Sequence, residues 1–405
     1  MAEQVLSYVK VLDLTWHIAG PYCTKLLADY GADVIKVERP GSGDPARRMG
    51  PFLRDDPHPE KSELFLHLNT NKKSITLNLK SDTGKKILRE LVRGVDVVVE
   101  NFSPHVMSSL GLDHESLEKI NPQLVMTSIS NFGQTGPYRD FKASELIIYG
   151  MGGAMYCNGL PEREPLKKGG RVIEYQGGVH GAVATMMALW VARTQGFGQH
   201  LDVSLIETQL GTIDRRMSHL VAYQYNGLPA ARPYPLTSSA RFPFGVYPCK
   251  DGYWELVGLG PVFSRIAKML GRPELVDDPR FNTLSAQSNP KNREAFDAVF
   301  LPWCMARTKK ECVDAGQAAG VLCGPINNSK DLLDDPHWKE RGFWAEITHP
   351  LAGKLTYPGA PFKLGEGGWV VRLPAPLLGQ HNGEVYGSLG YSKDDLVKLR
   401  ERGVI

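Results

Sequence analysis

The residues that could carry chemistry in this chain are narrowed first by what is missing. No G-x-S-x-G elbow, H-E-x-x-H pair or C-x-x-C pair occurs, so an activated serine, a zinc-bound water and a dithiol couple have no local signature. Carboxylates remain as candidate nucleophiles. One of them, Glu174, stands between the apolar pair Val172 and Ile173 and the double glycine Gly177 and Gly178, where a long apolar run begins. Nothing in the local sequence accounts for an acid at that place. A second set consists of polar or basic residues placed just after strand ends: Arg39, Lys80, Asn101 and Phe102, with Lys142 beyond the loop "FGQTGPYRDF". Together they outline a cationic rim with an aromatic platform, suited to a ligand with phosphates and a base. Taken singly, each also fits a solvated surface charge or a cap. Arg47 and Arg48 of "GDPARR" either extend this rim or belong to a solvated loop. Of the eleven histidines, His17 lies at a strand end and His180 reads as core.

The elements that must position these residues alternate between strand and helix. Strand "YVKVLDL" (8–14) leads to helix "PYCTKLLADYG" (21–31) and strand "DVIKVE" (33–38). Strand "KSITLNL" (73–79), helix "TGKKILRELVRG" (83–94), strand "VDVVVE" (95–100), helix "HESLEKI" (114–120) and strand "LVMTSIS" (124–130) repeat the pattern. Such alternation predicts a mostly parallel sheet covered on both faces, with a nucleotide-containing ligand lying across the strands' carboxyl ends. The turn after the first strand, "DLTWHIAGPYC", has one glycine where G-x-G-x-x-G needs three, and no G-x-x-x-x-G-K-S/T loop is present. Bound NAD, FAD and the usual ATPase or GTPase reading are therefore set aside.

The run 178–194 is apolar nearly all round and predicts a helix buried inside a large domain. A strand at 200–205 and a helix at about 206–225 follow, then the Pro, Gly and Ser of a linker. A hairpin turns at Lys250, Asp251 and Gly252. Helices are expected near 262–270, 290–306 and 308–319, strands from about 343, and a last helix capped by Ser392. This assigns 1–225 to a large domain, 226–240 to a linker, 241–330 to a small domain and 331–405 to a return into the large one. No internal repeat is present.

Composition agrees with two lobes, since 405 residues exceed the roughly 250 to 300 at which single cores stop growing. Apolar residues make 42% and charged residues 22%, and no stretch approaches the ~20 uncharged apolar residues of a membrane span. The start "MAEQVLSYVKVLDL" lacks the marks of a signal peptide, so a cytoplasmic protein with reduced thiols is expected. The six scattered cysteines read as small buried apolar residues. A net charge of +3 on 47 basic and 44 acidic residues calls for no nucleic-acid partner.

Several long stretches, in order, resemble the family III CoA-transferases, the group containing formyl-CoA transferase and the carnitine-CoA transferases, with the related α-methylacyl-CoA racemases. They are "VLDLTWHIAGPYCTKLLADYGADVIKVERPGSGD", "NTNKKSITLNLK", "VVVENFSPHVMSSLGL", "NPQLVMTSISNFGQTGPY", "GFGQHLDVSLIE" and "LLGQHNGEVYGSLGYS". The resemblance implies an α/β subunit with a Rossmann-like parallel-sheet large domain built from both chain ends, a smaller α+β domain and an interlocked dimer. It implies transfer of CoA from an acyl-CoA such as succinyl-CoA to a carboxylic acid, through anhydride and thioester intermediates on an aspartate. No permanently bound cofactor is implied; coenzyme A enters as the thioester substrate. By motif matching, CoA contacts fall at Ile18, Ala19, Arg39, Leu77, Asn78, Leu79, Lys80, Asn101, Phe102, Ser103 and Lys142.

This chain departs from the family pattern at the nucleophile itself, because Glu174 occupies the slot of the aspartate. A glutamate is one methylene longer, and a displacement of about 1 Å can cost roughly a hundredfold in rate. The family's glycine run before the "YPCKDGYW" hairpin is replaced by "PLTSSARFPF", and Ser109 stands where many relatives place a basic residue. The chain is therefore read first as the non-catalytic partner of a paralogous subunit, in a hetero-oligomer like that of succinyl-CoA:benzylsuccinate CoA-transferase. The second reading is a self-sufficient transferase, as homodimer, with Glu174 as nucleophile. A racemase is disfavoured by Ser144, which aligns with the histidine that reaction uses. Trp16, His17, Tyr149 and Tyr175 either line an aromatic-tolerant acyl pocket or belong to the core.

Overall fold

The computed structural model describes residues 3–212, 214–229, 232 and 241–405. Its chain divides into two compact units, Met1–Tyr156 with Lys167–Pro229 and Glu340–Ile405, and Cys157–Leu166 with Ala230–Lys339. In the first unit the order is β1 (Lys10–Asp13), α1 (Ala19–Asp29), β2 (Asp33–Glu38), α2 (Glu63–Leu68), β3 (Lys72–Thr76), α3 (Asp82–Val92) and β4 (Val97–Glu100). Then come α4 (Val106–Leu110), α5 (His114–Glu118), β5 (Val125–Ser130), α6 (Glu145–Met151), α7 (Val172–Gln195), β6 (His200–Ser204), α8 (Leu205–Thr212) and α9 (Asp214–Asn226).

The six strands form one parallel sheet ordered β3-β2-β1-β4-β5-β6. Central β4, "VVVE", is buried at every position, as a strand covered on both faces must be. Alternate side chains sort to the two faces. Val11, Val97, Val99 and Val125 meet Cys23 and Leu27 of α1 and Ile173 and Leu189 of α7. Leu12, Val98 and Met126 share the other layer with Ile87 and Leu88 of α3, Met107 of α4 and Tyr386 from the C-terminal part.

That C-terminal part also closes the β3 edge, which would otherwise offer unpaired backbone groups. Ser74 N–H donates to His381 Nδ1 at 3.0 Å, Thr76 N–H donates to Asn382 Oδ1 at 2.9 Å, and Tyr386 Oη donates to the Thr76 carbonyl at 2.6 Å. The large unit is thus built from both chain ends, as the resemblance implies. A hairpin of Trp344–His349 and Gly353–Pro358 belongs to it as well.

The second unit holds a three-stranded antiparallel sheet of Phe244–Cys249, Gly252–Val257 and Leu322–Pro325, with helices Phe263–Leu270, Pro290–Met305 and Lys309–Ala318. Its core is aromatic, with Phe242, Trp254, Phe281, Phe296 and Phe300 all buried.

Two expectations change, and two others fall partly outside the described residues. The helix expected over 206–225 corresponds to α8 and α9, and residue 213 between them lies outside the described residues. Most of the linker 226–240, and all of "PLTSSARFPF" up to residue 240, also lie outside them. Cys157 and Cys323 are only half-buried, while the other four cysteines are buried as expected. Helix α7 is not buried all round: Val179, Val183, Met187 and Trp190 recur at helical spacing on one exposed stripe, Trp190 at 72% exposure.

Candidate active site

In the strand order the direction of progression reverses between β1 and β4, and open parallel sheets bind ligands at such a switch, beyond the strands' carboxyl ends. The chain leaving β1 and the chain leaving β4 are clamped together there. Trp16 N–H donates to Asn101 Oδ1 at 2.8 Å, and Asn101 Nδ2 donates back to the Trp16 carbonyl at 2.8 Å. His17 adopts a left-handed backbone with φ 64°, which a non-glycine residue holds only when its surroundings impose it. Its N–H donates to Asp44 Oδ1 at 3.0 Å, and Asp44 is itself buried against Lys36 at 2.9 Å.

Two openings meet at this clamp. A groove of about 950 Å³ is lined by Trp16, Arg39, Leu77, Asn78, Leu79, Lys80, Ser109 and Gly403. A cavity of about 470 Å³ is lined by Ile18, Ala19, Ser130, Asn131, Lys142, Glu174 and Leu205. His17, Asn101, Phe102 and Ser103 line both. In the groove, the Arg39 guanidinium lies 4.9 Å from the Trp16 ring centre, and Trp16 meets Phe102 edge-on at 5.3 Å. This is a cationic, aromatic face of the kind that holds a base beside phosphates.

Helix α7 enters this site because two glycines let it approach α1. A Cβ on Gly178 would stand 2.7 Å from the Ala19 carbonyl oxygen, and one on Gly181 3.2 Å from Cys23 Sγ, both on α1. The close approach places the first turn of α7, with Glu174, against the start of α1, with Ile18 and Ala19. Gly177, where a Cβ would run into Leu205 Cδ2, is equally short of room, so the double glycine after Glu174 has a packing cause.

Arg171 supplies no side-chain cap to α7. Glu145 of α6 does so from a distance: its Oε1 and Oε2 accept the N–H groups of Ile173 and Glu174, each at 3.1 Å. Those are orphan donors of the helix start, so the buried Glu145 carboxylate fixes the turn that carries Glu174. Lys167 Nζ stands 3.5 Å from Glu145. The Glu174 side chain keeps 19% exposure, with Arg171 Nη1 at 3.4 Å. Burial raises its carboxyl above the usual range, Arg171 opposes the rise and Glu145 adds to it. Its basicity, and with it its nucleophilicity, rises accordingly. His17 is pulled below its ordinary value by burial, with Arg171 adding to the fall against Asp44, which favours a neutral imidazole at pH 7.

Every residue expected at the site by its sequence lines one or both openings: Ile18, Ala19, Lys142 and Glu174 the cavity, Arg39, Leu77, Asn78, Leu79 and Lys80 the groove, and Asn101, Phe102 and Ser103 both. Arg47 is the exception among the wider rim candidates. It is fully buried, bonded to Glu38 through Nε and Nη2 at 2.8 Å each and to Glu60 at 2.5 Å, and is therefore no rim cation. Arg48 is exposed. Ser109 lines the groove, but its hydroxyl donates to its own helix at the Val106 carbonyl, 2.8 Å away. Tyr149 is core, Tyr175 packs on Tyr22 at 4.8 Å, and Trp16 and His17 line the openings.

Glu145 and Ser130 escaped the sequence reading. Glu145 is also the first-turn acid of its own helix, and nothing local tells that it caps another. Ser130 is 8% exposed, and its Oγ has no hydrogen-bond partner among the described residues. Its signal is position, the last residue of a strand.

Residues 6–382 match the family model described as CoA-transferase family III. The chain belongs to the family III CoA-transferases. It is 35% identical to the succinyl-CoA–D-citramalate CoA-transferase of Chloroflexus aurantiacus over 99% of this chain and 98% of that protein. It is 34% identical to the succinate–glutarate CoA-transferase of Agrobacterium fabrum over 95% of each, and 35% identical to the formyl-CoA:oxalate CoA-transferase of Streptomyces coelicolor over the full length of both. A solved CAIB/BAIF family protein from Brucella suis superposes with a TM-score of 0.83 at 32% identity, covering 96% of this chain and all of that one. This CoA-transferase therefore takes CoA thioesters as substrates, and among its described residues no helix is long and apolar enough to cross a membrane.

Proposed function

We propose that this CoA-transferase is catalytically self-sufficient and uses Glu174 as its nucleophile, with CoA lying along the groove and its thioester in the smaller cavity. The observation that carries this is the position of Glu174 on the wall shared with Ile18, Ala19, Asn101, Phe102, Ser103 and Lys142. A glutamate retained only as a relic in a non-catalytic partner has no need of a helix start held from another element, so the order of the two sequence readings is reversed. The Glu174 carboxylate attacks the thioester carbonyl, the C–S bond breaks, and CoA thiolate leaves an acyl-glutamyl anhydride. The thiolate then attacks the glutamyl carbonyl, releasing the donor acid and leaving a glutamyl-CoA thioester. The acceptor carboxylate repeats the exchange in reverse order. Each step replaces one anion with another, so no proton has to be transferred. The start of α7 favours the negative charge that the intermediates carry.

The acceptor is dicarboxylic, with succinyl-CoA as the donor to test first; the relatives named for citramalate, glutarate and oxalate support this class of acceptor. The exposed stripe of α7 is the face on which a second copy sits in a dimer. Dilution to nanomolar concentration with size measured by light scattering should leave the dimer intact, and a monomer there removes it.

To test the nucleophile, the purified chain alone is mixed with succinyl-CoA, reduced with borohydride and digested. A reduced Glu174 in the resulting peptide is expected, and Glu174→Gln should lose at least about a thousandfold in transfer rate. Tight CoA binding with no modified Glu174 would return the non-catalytic reading.

A further inference from the structure

The last residue of β4 is an acid that the mechanism above does not use. Glu100 is 3% exposed, and its Oε2 accepts the N–H of Phe102 at 2.8 Å. Phe102 belongs to the turn Asn101–Ser103, which lines both the groove and the cavity. Sheet register sets Glu100 beside Ser128 of β5, and Ser128 beside Asp202 of β6. The row continues the same logic at its far end, where Asp202 Oδ2 accepts the N–H of Gln134 at 2.8 Å and so holds the loop that follows β5. Two carboxylates on one face of the sheet thus each tie down a loop beyond its carboxyl edge.

We propose that Glu100 is a positioning residue for acyl-CoA, whose ionised carboxylate holds the Asn101–Ser103 turn in its ligand-binding shape through the Phe102 N–H. This rests on the reading of the two openings as the CoA site. A hydrogen bond to a charged acceptor is roughly twice as strong as one to a neutral acceptor, so the turn is held more firmly when Glu100 is ionised.

The surroundings determine when that is. From β5 comes the Ser128 hydroxyl, which hydrogen-bonds Glu100 and stands 2.9 Å from His200 Nε2. From β6 comes the negative Asp202, and the chain leaving β1 passes with apolar Leu14, whose N–H donates to the Val99 carbonyl at 2.9 Å. Helix α4 contributes apolar Met107 to the same layer. No cation among the groups acting on Glu100 offsets its desolvation. Burial pushes the carboxyl up to about 7, Asp202 adds to the rise, and the bonds from Ser128 and Phe102 restrain it. His200, exposed on the edge strand and stacked on His114 at 5.7 Å, connects Ser128 to solvent. A proton can therefore reach Glu100 through Ser128 without the sheet opening.

The test is the affinity of the full chain for CoA, measured by titration calorimetry from pH 5.5 to 8.5, for the natural protein and Glu100→Gln. CoA has its own phosphate titration, so the quantity read is the affinity ratio of the two proteins. The glutamine keeps a neutral acceptor for Phe102. The ratio should be about fivefold in favour of the natural protein at pH 8.5, the value of ~1 kcal/mol between charged and neutral acceptors, and should fall to about one at pH 5.5. A ratio that stays constant across the range overturns the proposal, because a merely structural loss has no such pH dependence. Should Glu100→Gln fail to fold, Ser128→Ala is measured in its place. Loss of the serine hydroxyl should move the midpoint of the natural profile to higher pH, and an unmoved midpoint overturns the proposal equally. Neither readout needs turnover, so a failed Glu174 labelling leaves this result interpretable, while absence of CoA binding at every pH refutes both.

Discussion

At the carboxyl edge of the sheet, the β1 to β3 half and the β4 to β6 half treat their buried acids differently. In the first half each acid meets a cation. Asp13 accepts from Lys72 Nζ at 3.0 Å, Thr24 Oγ1 at 2.7 Å and the Thr15 N–H at 2.9 Å. Glu38 takes two bonds from Arg47 and one from Ser74. Burial alone would raise both acids, but Lys36 and Lys72 hold Asp13 down at about 2, and Arg47 holds Glu38 below its ordinary value. In the second half Glu100 has hydroxyl and N–H partners only, and burial wins. The lesson is that a buried carboxylate becomes permanent framework or a titrating group according to whether a cation was folded in beside it.

The strongest way to break the contrast is to convert the first half into the second. Lys72→Met leaves Asp13 buried without its closest cation, and removing one partner of such a pair costs about 3–5 kcal/mol. Burial pulls Lys72 down to about 8, against Asp13, so the pair is still ionised at pH 7. Urea denaturation at pH 7 should show a loss of this size, and a loss below about 1 kcal/mol would mean that Asp13 had found another partner.

A finer way is to follow stability with pH. The folded value of Glu100 lies above its unfolded one, so the folded chain binds the extra proton, and stability falls as pH rises from about 4.5 to 7. The fall amounts to about 3 kcal/mol. Asp13 has the opposite sign. Its depressed folded value contributes stability above its unfolded value near 4 that is lost as pH falls towards about 2, on the order of 2 kcal/mol. Thermal unfolding of Glu100→Gln should lack the decline between pH 4.5 and 7 and keep the acid loss. If the variant retains that decline, another group titrates there.

Much of this site was readable in the residues. The strand ends that were picked out as a rim, at Arg39, Lys80, Asn101 and Phe102, do converge, because a parallel sheet gathers the residues following its strands along one edge whatever lies between them. Glu174 stood out because an acid before a double glycine is locally unexplained. Other features could not be read locally. Arg47 looks like a rim cation beside Arg48, and only the fold puts Glu38 and Glu60 around it. Glu145 looks like an ordinary first-turn acid until α7 is seen starting on its carboxylate. The stripe on α7 is apolar like the rest of the helix, and hydropathy does not distinguish a face turned to the sheet from one turned outward.

The alternation of apolar strands and helices determined a parallel α/β sheet, since each segment's periodicity is a property of its own residues. The positions of the candidate ligand groups followed, because the chain direction of every strand is the same. Which acids keep their charge, which one titrates and which helix start is held by Glu145 were decided by tertiary structure alone. Those outcomes depend on desolvation and on distances of 3 to 4 Å between residues far apart in the chain, and neither quantity is written in any local stretch.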